Sequence, residues 1–370
     1  MVRIVRVSDR RTCREFLELP YRLYRRDPRW VPPLRIQQKR LFDTRRHPFY
    51  QEAEIERFLA LRDGRTVGRI AALLDHRYNR YHQEQAGWFG FLEMENDPEV
   101  AAALVTAAAE WLASRGIHVM RGPMSPSSNY ECALLVEGFD SPPCIMMPYN
   151  PPYYGPLLER VGLLKARDLY AYYTTDSEIT VRKAERIAER ATAAHQVRVR
   201  PVRLDDFQAE LERFFYVYNA AWRRNWGFVP MSRAEMEMLA RELKPVVDPN
   251  LALLGEVGDK LAGCALALPD INQALRHAGG RLFPLGLPKI LYHKRKIRRM
   301  RVLILGVIEE FRATGVAAAL YAALFRNGVR AGYREGEFSW VLEDNVMMNR
   351  TLEALGARRY KTYRIYEWKG

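Results

Sequence analysis

The chain has 370 residues, 48% hydrophobic and 28% charged, which supplies a sizeable core and length enough for two ordinary domains. That balance excludes wholesale disorder, and no apolar run approaches the ~20 residues of a spanning helix. The excess of 58 Lys and Arg over 44 Asp and Glu leaves +14, which suits an anionic partner such as a polyphosphate cofactor, a membrane surface or nucleic acid. Cys13, Cys132, Cys144 and Cys264 are scattered too widely for a zinc spacing or a disulfide framework, and no metal site is expected. The N-terminal stretch is charged without an apolar centre, so no secretory signal is expected and the cytoplasm is the expected compartment.

In chain order, the pattern predicts a strand over 2–7, a helix over 10–25 and a hairpin of 56–62 with 66–74, turned at Arg62-Asp63-Gly64. A strand over 87–94 and an alanine-rich helix over 98–115 follow, the helix ending at Gly116. A strand over 117–122 precedes a Pro-, Ser- and Met-rich insertion, 123–149; a helix over 153–162 and a Tyr-rich strand over 167–174 close this half. Residues 178–194 read as a charged helix, equally compatible with a linker or a packed accessory. The order then repeats: strand 197–203, helix 205–223, hairpin 251–257 with 260–268, strand 301–308, helix 314–331, strand 337–343, helix 346–356 and strand 360–368. The second half carries its insertion earlier, at 271–300.

The repetition extends to anchor residues. Asp9 answers Asp205, Pro32 answers Pro230, Gly68 answers Gly263 and Gly162 answers Gly356, at offsets of 194 to 198 residues. Four matches in order indicate a tandem duplication. The copies differ at one place that matters. After its central strand, the second half runs Arg312-Ala313-Thr314-Gly315-Val316-Ala317 into a helix. A strand feeding a glycine turn and a helix N-terminus can hold phosphate, because the first-turn amides lack intrahelical partners and the helix dipole adds positive charge. The first half has Glu95-Asn96-Asp97-Pro98-Glu99 there, carboxylates that repel pyrophosphate.

Val307-x-x-x-x-Arg312-x-x-Gly315-x-Ala317 resembles the acyl-CoA-binding motif of the GNAT N-acetyltransferase superfamily, Arg/Gln-x-x-Gly-x-Gly/Ala. The resemblance implies an α/β (α+β) fold in two tandem domains, each a mixed, mostly antiparallel sheet flanked by helices. Residues 1–176 are then a degenerate copy, 177–195 a linker helix and 196–370 the acyl-CoA-binding copy. It also implies that the amides of Ala313, Thr314, Gly315, Val316, Ala317 and Ala318 cradle the pyrophosphate, with Arg312 adding charge. The backbone of Val307 and Ile308 would pair with the pantetheine arm, as a substitute strand does. Asn345, which lies 11 residues before Gly356, is similar to the family's Asn…Gly segment; it is a candidate cofactor contact and equally a helix N-cap.

The chain departs from the pattern at Leu352, where many members carry the tyrosine that protonates the leaving thiolate, and at Ala357, where phenylalanine is usual. A thiolate leaves without a dedicated acid, since its thiol has a pKa near ~8.5. Glu309 and Glu343, at the ends of neighbouring strands, are the candidate bases for the attacking amine. The expected activity is transfer of an acyl group, acetyl by default or longer, from CoA to a small-molecule amine by direct attack. A tandem-GNAT transferase using charged tRNA and a non-enzymatic CoA-binding or membrane-docking module are the alternatives. Residues 281–301 pair apolar side chains with Lys289, Lys294, Arg295, Lys296, Arg298, Arg299 and Arg301, which suggests an anionic membrane surface. The lack of interleaved aromatics there argues against nucleic acid. The acceptor and oligomeric state are not encoded in any motif found.

Overall fold

The structure, a computed structural model, describes residues 1–175 and 177–370, with the backbone alone at 177–179. The expected domain boundary at residue 176 therefore lies outside the described residues.

The chain forms two compact units, Met1–Leu169 with Leu275–Ile290 and Lys361–Gly370, and Tyr170–Ala274 with Leu291–Tyr360. The units thus exchange segments, where the sequence pattern suggested two unbroken halves.

In chain order the elements are β1 (Arg3–Arg6), α1 (Arg10–Leu23), α2 (Arg35–Leu41), β2 (Ala53–Arg62), β3 (Arg65–Asp75), α3 (His76–His82), β4 (Ala86–Met94), α4 (Pro98–Ala113), β5 (Val119–Gly122), β6 (Met124–Ser125), β7 (Glu131–Cys132), β8 (Leu134–Glu137), α5 (Tyr154–Arg160) and β9 (Leu164–Thr174). They continue as α6 (Ser177–Thr192), β10 (Val197–Pro201), α7 (Phe207–Trp222), α8 (Arg233–Leu243), β11 (Ala252–Val257), β12 (Lys260–Pro269), α9 (Asn272–Leu275), α10 (Gly286–Lys294), β13 (Arg299–Val307), α11 (Val316–Arg330), β14 (Glu335–Leu342), α12 (Val346–Ala354) and β15 (Arg358–Lys369).

In the first unit the strand order is β1-β2-β3-β4-β5-β15, with β8 also on β15. All pairings are antiparallel except β4 with β5. Helix α4 buries Val100, Leu104, Ala108 and Leu112, one stripe at four-residue spacing, against Phe58, Ile70, Ala72 and Phe89 of the sheet. Each such leucine contributes ~1.5–3 kcal/mol by leaving water. Residues 275–290 are held in this unit by main-chain contact: Arg35 donates its amide to Gly280 O at 3.1 Å and its guanidinium to Gly279 O at 3.2 Å.

The second unit orders its strands β14-β13-β12-β11-β10, antiparallel except for β13 with β14. Helix α11 buries Val316, Leu320 and Leu324 against Leu253, Ala262, Ala265 and Val302. Ala184 and Ala188 of α6 join the same core, so the charged helix read as a linker is a packed accessory of α11. On the other face Val217 and Trp222 of α7 meet Leu254, Cys264, Ile304 and Ile308.

The duplication survives in register. Gly68 pairs with Met94 in the first unit as Gly263 pairs with Val307 in the second. Each pair of strands also carries a one-residue register shift a few residues further in.

Candidate functional site: a split strand pair in each unit

In the second unit β13 and β14 pair in parallel only from Arg299–Glu335 to Val302–Phe338. Beyond that register both strands continue, β13 to Val307 and β14 to Leu342, without pairing to each other. The divergence leaves one edge of β13 open. Ile308 donates its amide to Ala262 O of β12 at 2.9 Å and accepts from the Phe311 amide at 2.9 Å. Its backbone is therefore engaged at both ends, which corrects its assignment as a pantetheine contact. Because strand residues alternate, the peptide groups facing the open edge are those of Val307 and, two positions back, Leu305.

A buried polar knot closes the base of the split. Arg301 is fully buried; its Nε donates to Ser339 Oγ at 2.9 Å and its Nη2 to Ser339 O at 3.2 Å. Ser339 Oγ donates to Glu337 Oε1 at 2.6 Å, and Tyr360 donates to Glu337 Oε2 at 2.9 Å. The Arg301 guanidinium also lies 5.2 Å from the centre of the Trp340 ring. Arg301 is thus a structural cation and no part of a basic surface. Arg299 is likewise engaged, with Glu335 at 2.9 Å and Asp270 at 3.8 Å.

Between β13 and α11 the chain makes a single 3-10 segment, Glu309–Thr314, and turns at Gly315, whose φ of 81° is the left-handed conformation that glycine adopts without strain. No side chain caps α11. Ala319 is the first residue whose amide bonds back, to Gly315 O at 3.0 Å, so the amides of Val316, Ala317 and Ala318 have no partner within the helix. Arg312 and Ala313 are exposed beside them, while the Thr314 hydroxyl is engaged by Phe311 O at 2.7 Å. The side of Gly315 where a β-carbon would sit is filled by α6: such an atom would stand 2.5 Å from Ala191 O. The absence of a side chain at Gly315 therefore lets α6 pack against the turn.

Asn345 accepts from the Met348 amide at 3.2 Å and is the N-cap of α12. Asn349 ties the end of β14, donating to Leu342 O at 3.1 Å and accepting from Tyr172 at 2.9 Å. Glu309 and Glu343 follow the two arms of the split, Glu309 after β13 and Glu343 after β14. Glu309 is exposed and paired with Arg224 at 2.6 Å; Glu343 is half-buried. Leu352 is fully buried in the α11 core, so no hydroxyl is offered at that position. Among the described residues no cluster of His, Cys, Asp and Glu could hold a metal ion.

The first unit has the same split, and its own chain fills it. Pairing of β4 with β5 stops at Trp88–Arg121, and β6 then runs along β4. A β-carbon on Gly90 would lie 1.6 Å from Met124 O, and the Phe91 amide donates to Ser125 Oγ at 3.0 Å. The helix start is filled too. The Asp97 carboxylate accepts from the Glu99 and Val100 amides at 2.9 and 3.4 Å and pairs with Arg62. Pro98 follows at the first helical position. The acidic substitution read in the sequence is thus an internal cap where the other copy is open.

Beside this filled split lies a buried cluster that no sequence motif announced. Tyr24 and Tyr154 donate to Glu93 Oε2 at 2.5 and 2.8 Å, and Tyr154 Oη accepts from the Met94 amide at 2.8 Å. Arg69 sits 3.6 Å from Glu93 and donates to Phe16 O at 2.6 Å. Burial pushes the Glu93 carboxyl up, against the pull of the Arg69 charge and the two phenols.

Parallel strands that part after a few residues, a bulged β13, a glycine turn and an uncapped helix match the GNAT fold, whose split strand pair occurs in both units. No protein-family profile matches the chain. A tandem GNAT protein from the clavulanic acid biosynthesis pathway shares this fold over 100% of this chain and 98% of its own, with a TM-score of 0.56 at 13% identity. A GNAT N-acetyltransferase from Sphaerobacter thermophilus matches over 85% and 80%, with a TM-score of 0.50 at 14% identity. In sequence, the chain is 34% identical to the bacterial ceramide synthase of Caulobacter vibrioides over 98% of its length and 96% of that protein. It is 33% identical to the Escherichia coli protein YghO over 97% and 93%. The chain belongs to the family of these two proteins and has the tandem GNAT fold.

Proposed function

We propose that the second unit binds a long-chain acyl-CoA and transfers its acyl group to the amine of a long-chain, sphingoid-type base. The carrying observation is the open edge of β13 leading to an uncapped helix start, in a chain whose other copy has both places filled. The pyrophosphate would lie on the amides of Ala313 to Ala318, beside the Arg312 charge. The pantetheine arm would extend β13 through the peptide groups of Leu305 and Val307. Asn345 and its helix end would flank the same opening.

The amine nitrogen attacks the thioester carbon, the C–S bond breaks, and the thiolate takes the proton that the new amide nitrogen loses. Glu309 and Glu343 are the carboxylates offered to relay that proton. A free thiolate is a good enough leaving group to need no residue at position 352. The choice of a long-chain acyl group and amine, in place of the acetyl default, is supported by the relative named as a ceramide synthase, since a ceramide is the amide of a fatty acid and a sphingoid amine. A cytoplasmic setting is supported by the wide scatter of Cys13, Cys132, Cys144 and Cys264, which fits no disulfide framework. No helix among the described residues is long and apolar enough to cross a membrane.

The test is thiol release from palmitoyl-CoA with and without a sphingoid amine. Amine-dependent release with formation of the amide is expected. Release with acetyl-CoA and a polar amine alone would overturn the substrate class. Salt-sensitive tRNA binding without any response to either CoA ester would overturn the donor.

A further inference from the structure

Residues 281–296 carry a run of large apolar side chains exposed to solvent. Phe283, Leu285, Leu291 and Tyr292 are 75, 64, 56 and 59% exposed, and Leu287 is 39% exposed. Most of the other exposed large apolar side chains among the described residues stand singly, so five within ten positions is a patch of the kind that marks a contact surface. The segment is held by its own hydrogen bonds. Leu287 donates its amide to Leu282 O at 2.6 Å and Lys289 to Leu285 O at 3.2 Å. Gly286 lies so close to Arg281 O that a β-carbon there would be 1.7 Å away. Ile290 and Ile297 are buried and anchor it. Leu287 and Leu291 share one stripe of α10.

The charge around this patch is of one sign. Residues 281–301 contain no Asp or Glu. Arg281, Lys289, Lys294, Arg295, Lys296 and Arg298 are exposed, whereas Arg299 and Arg301 are engaged inside the second unit. Lys296 donates to the Tyr292 hydroxyl at 2.8 Å and sits 4.1 Å from the centre of its ring, which leaves the aromatic face flanked by charge. Apolar side chains beside cations, with a tyrosine between them, suit the boundary between acyl chains and anionic headgroups.

We propose that residues 281–296 dock the protein on an anionic phospholipid bilayer, with Phe283, Leu285, Leu287 and Leu291 entering the interface and Lys289, Arg295 and Lys296 meeting the headgroups. The proposal goes beyond the acyl transfer and does not depend on which amine is acylated.

Sedimentation of the full chain with vesicles of equimolar phosphatidylglycerol and phosphatidylcholine tests it, against phosphatidylcholine alone. The wild type is expected to pellet with the anionic vesicles only. Lys289→Gln, Arg295→Gln and Lys296→Gln together are expected to weaken binding on the order of 100-fold. Phe283→Ser, Leu285→Ser, Leu287→Ser and Leu291→Ser together are expected to abolish it. All seven side chains are exposed, so melting temperature and acyl-CoA affinity by calorimetry should hold in both variants. Absence of wild-type binding, or equal binding by both variants, overturns the proposal. So does a dimer that the serine variant alone dissolves, without vesicle binding, which would make the patch an interface between copies.

Discussion

Gly315 lies against Ala191: a β-carbon on the glycine would stand 2.5 Å from the Ala191 carbonyl oxygen and 2.8 Å from its β-carbon. The contact ties the C-terminal end of α6 to the start of α11, and it separates two roles of the turn that substitution can distinguish. Gly315→Ala must displace α6 and adopt a left-handed φ of 81°, which predicts a loss of ~2–4 kcal/mol in denaturant unfolding. Ala313→Glu and Arg312→Glu alter exposed positions and should leave stability within ~0.5 kcal/mol. Each should weaken acyl-CoA binding at least ten-fold by calorimetry, because a carboxylate then faces pyrophosphate. Unchanged affinity in both would move the phosphates elsewhere.

The knot at the base of the split predicts a different pattern. Arg301→Met removes the cation that Ser339 links to the buried Glu337 carboxylate. Leaving a buried charge without its compensation costs ~3–5 kcal/mol. Ser339→Ala removes one bridging hydroxyl and should cost ~1–3 kcal/mol. If Arg301→Met unfolds at the wild-type denaturant concentration, the knot is not what holds β13 and β14 together at their base.

The strands and major helices were legible because pattern and punctuation agreed: the apolar run of 66–74 after the Asp63-Gly64 turn and the capped stripe of 98–115 each met a single reading. Helix α8 was missed although Ser232 and Glu235 form a capping box, the signal that a Ser-x-x-Glu spacing announces. The glycine turn at 312–317 was legible as a motif, yet why it needs glycine was not, since Ala191 lies over a hundred residues away in the chain. Arg301 counted with its basic neighbours in the sequence and was found at the bottom of a buried network, because charge in a string carries no burial. The filling of the first split by Met124 and Ser125 was out of reach for the same reason: an insertion's composition does not say where it folds back.

The open edge of β13 predicts that one amide can be removed without harming the sheet. Val307→Pro deletes the donor assigned to the gap, while the neighbouring Ile308 amide keeps its bond to Ala262 O at 2.9 Å. Losing one hydrogen bond of ~0.5–1.5 kcal/mol should weaken acyl-CoA binding by roughly two- to ten-fold. Ile308→Pro should instead lower the melting temperature, as it breaks the ladder. Equal melting temperatures for the two variants would reverse the assignment of the two edges.

Acid should destabilise the second unit through Glu210. This carboxylate is nearly buried on α7, and burial pushes its pKa up. Hydrogen bonds from Arg200 at 2.6 and 3.0 Å, from Arg213 at 2.5 Å and from the Arg203 amide at 3.3 Å outweigh that and hold it at about 2. Since the folded value lies below the ordinary 4.5, the unfolded chain binds the proton more readily. The contribution is therefore complete above pH 4.5 and disappears as pH falls towards 2. Its size is on the order of 3 kcal/mol. Glu210→Gln should lower stability by about that much at neutral pH, and its difference from the wild type should shrink through the same window. A difference that stayed constant down to pH 2 would show that the carboxylate's charge is not what the three arginines hold.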